Sequence, residues 1–305
     1  MKKRFLVVSC NPTIQNTYLL TEFRPGRVNR VSTTRLDVAG KGVNVARVLV
    51  QLGEEAVHLT QGGGRRLSLY RELCDADGVQ LEIIESPAEI RYCHTLISTN
   101  DRTITEIVEP GNGIAPPVER EMRASFGRLV RSAHTVIISG SKTAGFSDSI
   151  YADMTSEAKA GGARVILDIR GADLLASLAH RPDAVKINVS EFAQTFGDQP
   201  LPEETALEQI PQSLLNRAID LKHDLGIEVV LSNGRRPLLY VGSEGLVIVK
   251  PPETEPVNAI GSGDALTAGF AAGLHRGLTL AEAIALGVKC AQQNLMLVKP
   301  GSIKE

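Results

Sequence analysis

Thr135-Val136-Ile137-Ile138-Ser139, followed by Ser147–Ala160 with helical spacing of its apolar residues and then by Arg164-Val165-Ile166-Leu167-Asp168, decides the fold. A short β-branched run, a longer helical stretch and a second short run form a strand–helix–strand unit. The pattern recurs along the chain. Phe5–Cys10, Ala184–Ile187 and Ile227–Ser232 read as further buried strands. Gly42–Leu52, Pro117–Ser132, Leu207–Leu225, Ser262–Arg276 and Leu280–Val298 read as helices. Alternation of this kind predicts an α/β fold: a doubly wound, mostly parallel sheet flanked by helices, with residues 1–305 as one domain.

Two regions break the alternation. Thr17–Asp37 and Val79–Glu109 have period-2 character, as in Cys93-His94-Thr95-Leu96-Ile97, and are polar on one side. They predict a small β lid, with segments near 15–37 and 79–109, lying outside the main sheet. Such strands either close over a cleft and exclude water or form an edge hairpin with no catalytic part.

Composition narrows the function. The 305 residues are 43% hydrophobic and 22% charged, with a formal net charge of −2. No basic excess is present to hold a phosphate backbone, so nucleic acid is excluded as the main partner. No apolar run reaches the roughly 20 residues of a membrane helix. The apolar run Phe5–Cys10 behind Met1-Lys2-Lys3-Arg4 is shorter than a secretory h-region and reads as the first strand. Cys10, Cys74, Cys93 and Cys290 form no CxxC pair, which fits a cytoplasmic protein without structural zinc. Each reads as a small core hydrophobe. His58 and His94 read as ordinary polar residues on strands.

The strongest chemical signal is Val257-Asn258-Ala259-Ile260-Gly261-Ser262-Gly263-Asp264-Ala265, which runs from a proline-rich loop straight into a helix. Glycines and a serine at a helix start leave open backbone N–H groups that, with the helix dipole, suit an anion. Asp264 is then either a stabiliser of the dipole or a base that takes a proton from a hydroxyl while the amides hold a transferring phosphoryl group. Competing glycine motifs fail. A dinucleotide fingerprint would need Gly where Leu266 stands, and Gly40-Lys41-Gly42 is followed by Val43 rather than the residues of a Walker loop. Gly62-Gly63-Gly64 reads as a flexible turn.

Five segments in order carry a resemblance. Asn11-Pro12-Thr13, Ala39-Gly40-Lys41-Gly42-Val43-Asn44-Val45-Ala46-Arg47, Ser139-Gly140-Ser141, Lys186-Ile187-Asn188-Val189-Ser190-Glu191 and Gly261-Ser262-Gly263-Asp264 together resemble the ribokinase-like (phosphofructokinase B) sugar kinases. The string Gly40–Ala46 looks like the branch acting on fructose 1-phosphate or tagatose 6-phosphate. The resemblance implies ATP and Mg²⁺ as cofactors and a sugar phosphate as partner. It implies that Asp264 is the catalytic base and that Gly261, Ser262 and Gly263 form the anion hole. Asn188 and Glu191 match the element that organises Mg²⁺, largely through water. Lys186, Ser232 and Gly234 match positions beside ATP, and Gln15, Gly40 and Asn44 match positions that meet the sugar.

The residues themselves support part of this. Mg²⁺ keeps most of its waters, so one Glu and one Asn amide suffice. Asn188 and Glu191 lie three apart, on one helix face or as an N-cap with a first-turn Glu. A phosphorylated substrate needs cations, for which Arg27, Lys41 and Arg91 are the candidates. Each is otherwise a solvated surface charge. The chain departs from the resembled family at Gln15, where an Asp is usual, at Ile187, and at Lys142-Thr143 and Asp168-Ile169-Arg170. These changes surround the substrate more than the phosphoryl-transfer centre. The alternatives are a kinase of an unphosphorylated sugar or nucleoside, or a catalytically silent sugar- or nucleotide-binding protein. Exposed lid strands would offer a homodimer contact.

Overall fold

The computed structural model describes residues 4–305. Met1–Lys3, compared above with the start of a signal peptide, lie outside the described residues. In chain order the elements are β1 Arg4–Val8, β2 Thr13–Leu20, β3 Thr33–Ala39, α1 Lys41–Gln51, β4 Ala56–Gly63, α2 Leu67–Ala76, β5 Gln80–Glu89, β6 Arg91–Ser98 and β7 Thr103–Val108. Then come α3 Pro116–Val130, β8 Ala133–Ser139, α4 Ile150–Ala160, β9 Arg164–Asp168, α5 Gly171–Leu178, β10 Ala184–Asn188 and α6 Val189–Phe196. The chain continues through α7 Gln212–Leu225, β11 Glu228–Ser232, β12 Leu238–Val241, β13 Leu246–Val249, α8 Ser262–His275 and α9 Leu280–Leu295.

Nine strands form the main sheet in the order β13-β12-β11-β10-β9-β8-β1-β4-β5. From β5 to β11 every neighbouring pair is parallel, and only β12 runs against the rest, antiparallel to both β11 and β13. Helices cover both faces, as the expected α/β class requires. Period-2 alternation divides each strand between two cores: Leu6 and Val8 of β1 face one, Phe5 and Val7 the other. Ser139, Asp168, Asn188 and Ser232 end four consecutive parallel strands, so their side chains gather at the carboxyl edge, where open α/β sheets bind ligands.

A second, four-stranded sheet has the order β3-β2-β6-β7 and forms the expected lid. Its boundaries differ from the sequence expectation. Residues 80–89 are not lid: β5 pairs with β4 in parallel at the edge of the main sheet. Alternation is the mark of any strand with one wet face, and an edge strand shares it. The expected flexible turn at Gly62–Gly64 is also corrected. Gly62 and Gly63 end β4 and are buried, and a Cβ on Gly63 would overlap the Ser86 carbonyl. These glycines serve close approach to β5 rather than flexibility. The helix expected over 207–225 begins only at Gln212, after a 3₁₀ turn at Leu207–Gln209. His58 and His94 do lie on strands, and burial pushes the His58 imidazole down to about 4.

Candidate active site

Helix α8 begins where the chain must turn sharply. Gly261 sits in the left-handed region at φ 82°, and a Cβ there would run into the Gly301 amide. The approaching loop is pinned by side chains. Asn258 Nδ2 donates to Val298 O at 2.9 Å, its Oδ1 accepts from the Ile260 amide at 3.0 Å, and Asn294 Nδ2 holds Ile260 O at 3.0 Å. This fixes the orientation of the first turn, but the Ser262 amide donates to Ala259 O at 3.2 Å, so of the amides expected to hold an anion those of Gly263 and Asp264 remain open at the start of the helix. Gly263 leaves room for Lys186, whose Nζ would stand 3.2 Å from an added Cβ.

Asp264 is buried, with one carboxylate oxygen accepting from Asn44 Nδ2 at 2.8 Å. Burial pushes its carboxyl up to about 6; Asp168 adds to the rise, while Lys41, Asn44 and Lys186 oppose it. A carboxyl in that range is ionised at neutral pH yet basic enough to accept a proton.

Beside it lies a second carboxylate that the sequence reading missed as a functional centre. Asp168 is fully buried at the end of β9. One of its oxygens receives Lys41 Nζ at 2.9 Å; the other receives Thr267 Oγ1 at 2.7 Å and Lys186 Nζ at 3.3 Å. Burial disfavours its charge, but Lys186 and Lys41 outweigh that and hold it well below the usual carboxylate range. Lys41 also lies 3.5 Å from Glu191. Burial likewise works against the lysine charge, and Asp168, Glu191 and Asp264 together keep its pKa above the ordinary value. The sequence reading put Lys41 in a glycine loop facing substrate; in the structure it opens α1 and is shared between two carboxylates.

Asn188 and Glu191 form a capping box at the start of α6, with Asn188 Oδ1 accepting from the Glu191 amide at 2.7 Å. Both side chains nevertheless line the cleft. Arg170, exposed after β9, comes within 3.9 Å of Glu191.

Two cavities meet at the α8 start. The larger, of about 580 Å³, lies between lid and sheet and is lined by Gln15, Gly40, Lys41, Asn44, Arg91, Lys186, Asn188, Glu191 and Gly261–Asp264. The other, of about 450 Å³, has apolar walls from Pro251, Pro252, Leu266, Val288, Ala291 and Leu295. Ser232, Asn233, Gly234, Ser262 and Gly263 border both. Gly234 adopts φ 57° there, and a Cβ would meet the Glu204 side chain at 2.5 Å. Two molecules, one in each cavity, would therefore approach each other across the Ser262–Gly263 amides.

Most of the expected site residues are thus brought together. Arg27 is not: it is exposed on the segment joining β2 to β3 and lines neither cavity. Gln15 faces the cavity but is buried, its Nε2 donating to Thr95 Oγ1 at 2.5 Å. Glu106, on the cavity face of β7 opposite Thr95, was also missed; it stays exposed at the cavity mouth, and partial desolvation by its surroundings raises its carboxyl above the usual range. No sequence signal distinguished it from other lid charges. For Asp168 a signal existed: an acid closing an apolar strand run.

A mostly parallel α/β sheet with a lid, and a helix start bearing amides and a carboxylate between two joined cavities, define a class of phosphoryl-transfer enzymes. The family model of the pfkB family carbohydrate kinases matches residues 6–302, and the chain belongs to that family. It is a sugar kinase, a phosphotransferase with an alcohol as acceptor, and the family implies ATP as its second substrate. It is 32% identical over 278 residues to the 1-phosphofructokinase of Xanthomonas campestris pv. campestris, covering 90% of this chain and 85% of that protein. It is 30% identical to the 1-phosphofructokinase of Rhodobacter capsulatus over 92% of this chain and 87% of that protein. In fold it is similar to phosphofructokinase-2 from Escherichia coli, solved in complex with substrates and products, with a TM-score of 0.84 at 22% identity, covering 99% of this chain and 96% of that one.

Proposed function

We propose that the chain phosphorylates a hexose phosphate to a bisphosphate with ATP. Fructose 1-phosphate is the first candidate, because both curated relatives are named for it, and tagatose 6-phosphate is the second. The observation that carries this reading is that Arg91 and Asp264 line one lidded cavity. The cavity joins a cation able to grip a phosphate with a base at the nucleotide side. In this mechanism the sugar occupies the larger cavity and the adenine the apolar one. Asp264 takes the proton of the sugar hydroxyl as its oxygen bonds to the γ-phosphorus and the bond to ADP breaks. The amides of Gly261, Gly263 and Asp264 hold the charge on the moving phosphoryl group, with Lys186 beside the phosphates.

The donor set fits Mg²⁺. Glu191 offers a carboxylate and Asn188 an amide oxygen at the cleft, and no cluster of three or more ligating side chains occurs among the described residues. That suits an ion that keeps most of its water. When bound, Mg²⁺ would neutralise phosphate charge.

Residues 1–305 are proposed to act as one kinase domain in the cytoplasm. The four free, buried cysteines fit a reducing compartment, and no helix among the described residues is long and apolar enough to cross a membrane. A second copy is the proposed cover for the outer face of the lid, where Leu36 and Ile107 are exposed on either side of the stacked Tyr18–His94 pair.

ATP consumption measured over fructose 1-phosphate, tagatose 6-phosphate, fructose 6-phosphate, free hexoses and nucleosides tests the function. Turnover is expected with a hexose phosphate. Turnover confined to unphosphorylated acceptors, or none at all, would overturn the proposal.

A further inference from the structure

We propose that Arg47 is a positioning residue for the catalytic carboxylate: its guanidinium fixes the Asn44 amide so that this amide donates to Asp264. The inference rests on Asp264 being the base, as proposed above.

Arg47 lies one turn beyond Asn44 on α1 and is fully buried. Its Nε donates to Asp77 Oδ2 at 2.6 Å. Its Nη1 donates to Asn44 Oδ1 at 3.0 Å, to Pro300 O at 2.9 Å and to Gly301 O at 3.0 Å. Nη2 donates to Val38 O. A guanidinium has five donors and no acceptor, whereas an Asn amide has one side of each kind. Arg47 therefore selects one of the two orientations of Asn44, the one with its oxygen inward. The amide nitrogen is left facing Asp264, 2.8 Å from Oδ2. Turned over, the amide would set N–H against N–H and oxygen against carboxylate.

A buried guanidinium is a poor device for stability alone, because apolar packing of similar volume achieves as much without desolvating a charge. What it adds is direction. Asp77 anchors it from behind. Burial disfavours the Asp77 charge, yet Arg47 and Lys299 hold the carboxyl below the usual range. The charged groups acting on Asp264 are Lys41, at the start of α1 itself, and Asp168 and Lys186 on the packed strands β9 and β10. None of them hydrogen-bonds to Asn44, so the relay can be altered separately.

The test is the titration of the Asp264 carboxyl, followed by ¹³C NMR and assigned with Asp264→Asn, in the wild type and in Asn44→Ala, Arg47→Lys and Asp77→Asn. Removing a hydrogen bond to the charged form raises a carboxyl. Asn44→Ala and Arg47→Lys are expected to move the midpoint upward from about 6, each by about one pH unit. The acid limb of kcat/KM should move with it. A folded Arg47→Lys protein with the wild-type midpoint would overturn the proposal and leave Arg47 as a tie between α1 and residues 300–301. Should Arg47→Lys fail to fold, Asp77→Asn is decisive: the midpoint must again rise, and an unchanged one refutes the relay. The titration is read without turnover, so it stands even if no sugar phosphate proves to be a substrate.

Discussion

Lys41 and Asp168 are joined across 127 residues of sequence by a 2.9 Å ion pair at the carboxyl edge of the sheet. Lys186 reaches the other oxygen of the same carboxylate. Two lysines that would otherwise repel each other are thus held side by side in the cleft that Asp264 also lines.

Replacing Asp168 by Asn should therefore leave cations without their counter-charge in a largely buried site. Breaking such a set costs about 3–5 kcal/mol, read as a lowered urea midpoint at pH 7. The native state holds Asp168 ionised more readily than the unfolded chain does. Its contribution is present above the ordinary carboxylate range and fades as pH falls through and below about 4. The gap between variant and wild type should narrow there; a gap that widens on acidification would contradict the ion-pair account.

Asp264 acts in the opposite sense. Its carboxyl is raised from an ordinary 3.8 to about 6, so the folded state favours the neutral form and loses stability as pH rises through that window. The ionised form costs on the order of 3 kcal/mol at pH 7. Asp264→Asn should be more stable than the wild type at pH 7–8, by about 1–3 kcal/mol, and no more stable near pH 4. Urea unfolding across pH measures both.

The same variant should lose about 10²–10⁴ in kcat. In the wild type, kcat/KM should fall tenfold per pH unit below about 6, where the base becomes protonated. Near-wild-type turnover in Asp264→Asn would remove Asp264 from the mechanism.

Gly261→Ala combines a left-handed backbone with a Cβ directed at the Gly301 amide. We expect a loss of about 1–3 kcal/mol and a kcat lowered by about 10²-fold as the anion-holding amides shift. Chemical denaturation and steady-state kinetics would show them together; lost stability with unchanged kcat would place the amides outside catalysis.

Arg91→Met should raise KM for the sugar phosphate at least tenfold while leaving KM for ATP unchanged. Equal effects on both substrates would move Arg91 out of the sugar site.

The fold was legible because apolar runs such as Thr135–Ser139 and Arg164–Asp168 are buried on both faces and read as parallel strands whatever surrounds them. β5 was not, because Gln80–Glu89 alternates as a lid strand would, and alternation says that one face is wet without saying which sheet owns it. Gly62 and Gly63 misled for a related reason: the Ile90 side chain that crowds Gly62 and the Ser86 carbonyl that requires a bare Gly63 both lie more than twenty residues away. In the site, Gly261–Asp264 was readable because its chemistry is contiguous in sequence. Glu106 and Arg47 were not, since their partners are supplied only by the fold, and the sign that Asp168 gave, an acid closing an apolar strand run, does not name the two lysines that meet it. Arg47 left one trace, a cation three residues from Asn44 in an otherwise apolar helical run.

The carbonyls of Pro300 and Gly301 that grip Arg47 lie more than 250 positions from it, and Asn44 and Asp264 meet across 220. During synthesis Arg47 cannot be gripped in this way until residues 300 and 301 have cleared the ribosome, after the strands of the sheet have emerged. A chain cut short before Pro300 would lack both of these grips on Arg47, and Asn44 would be free to turn.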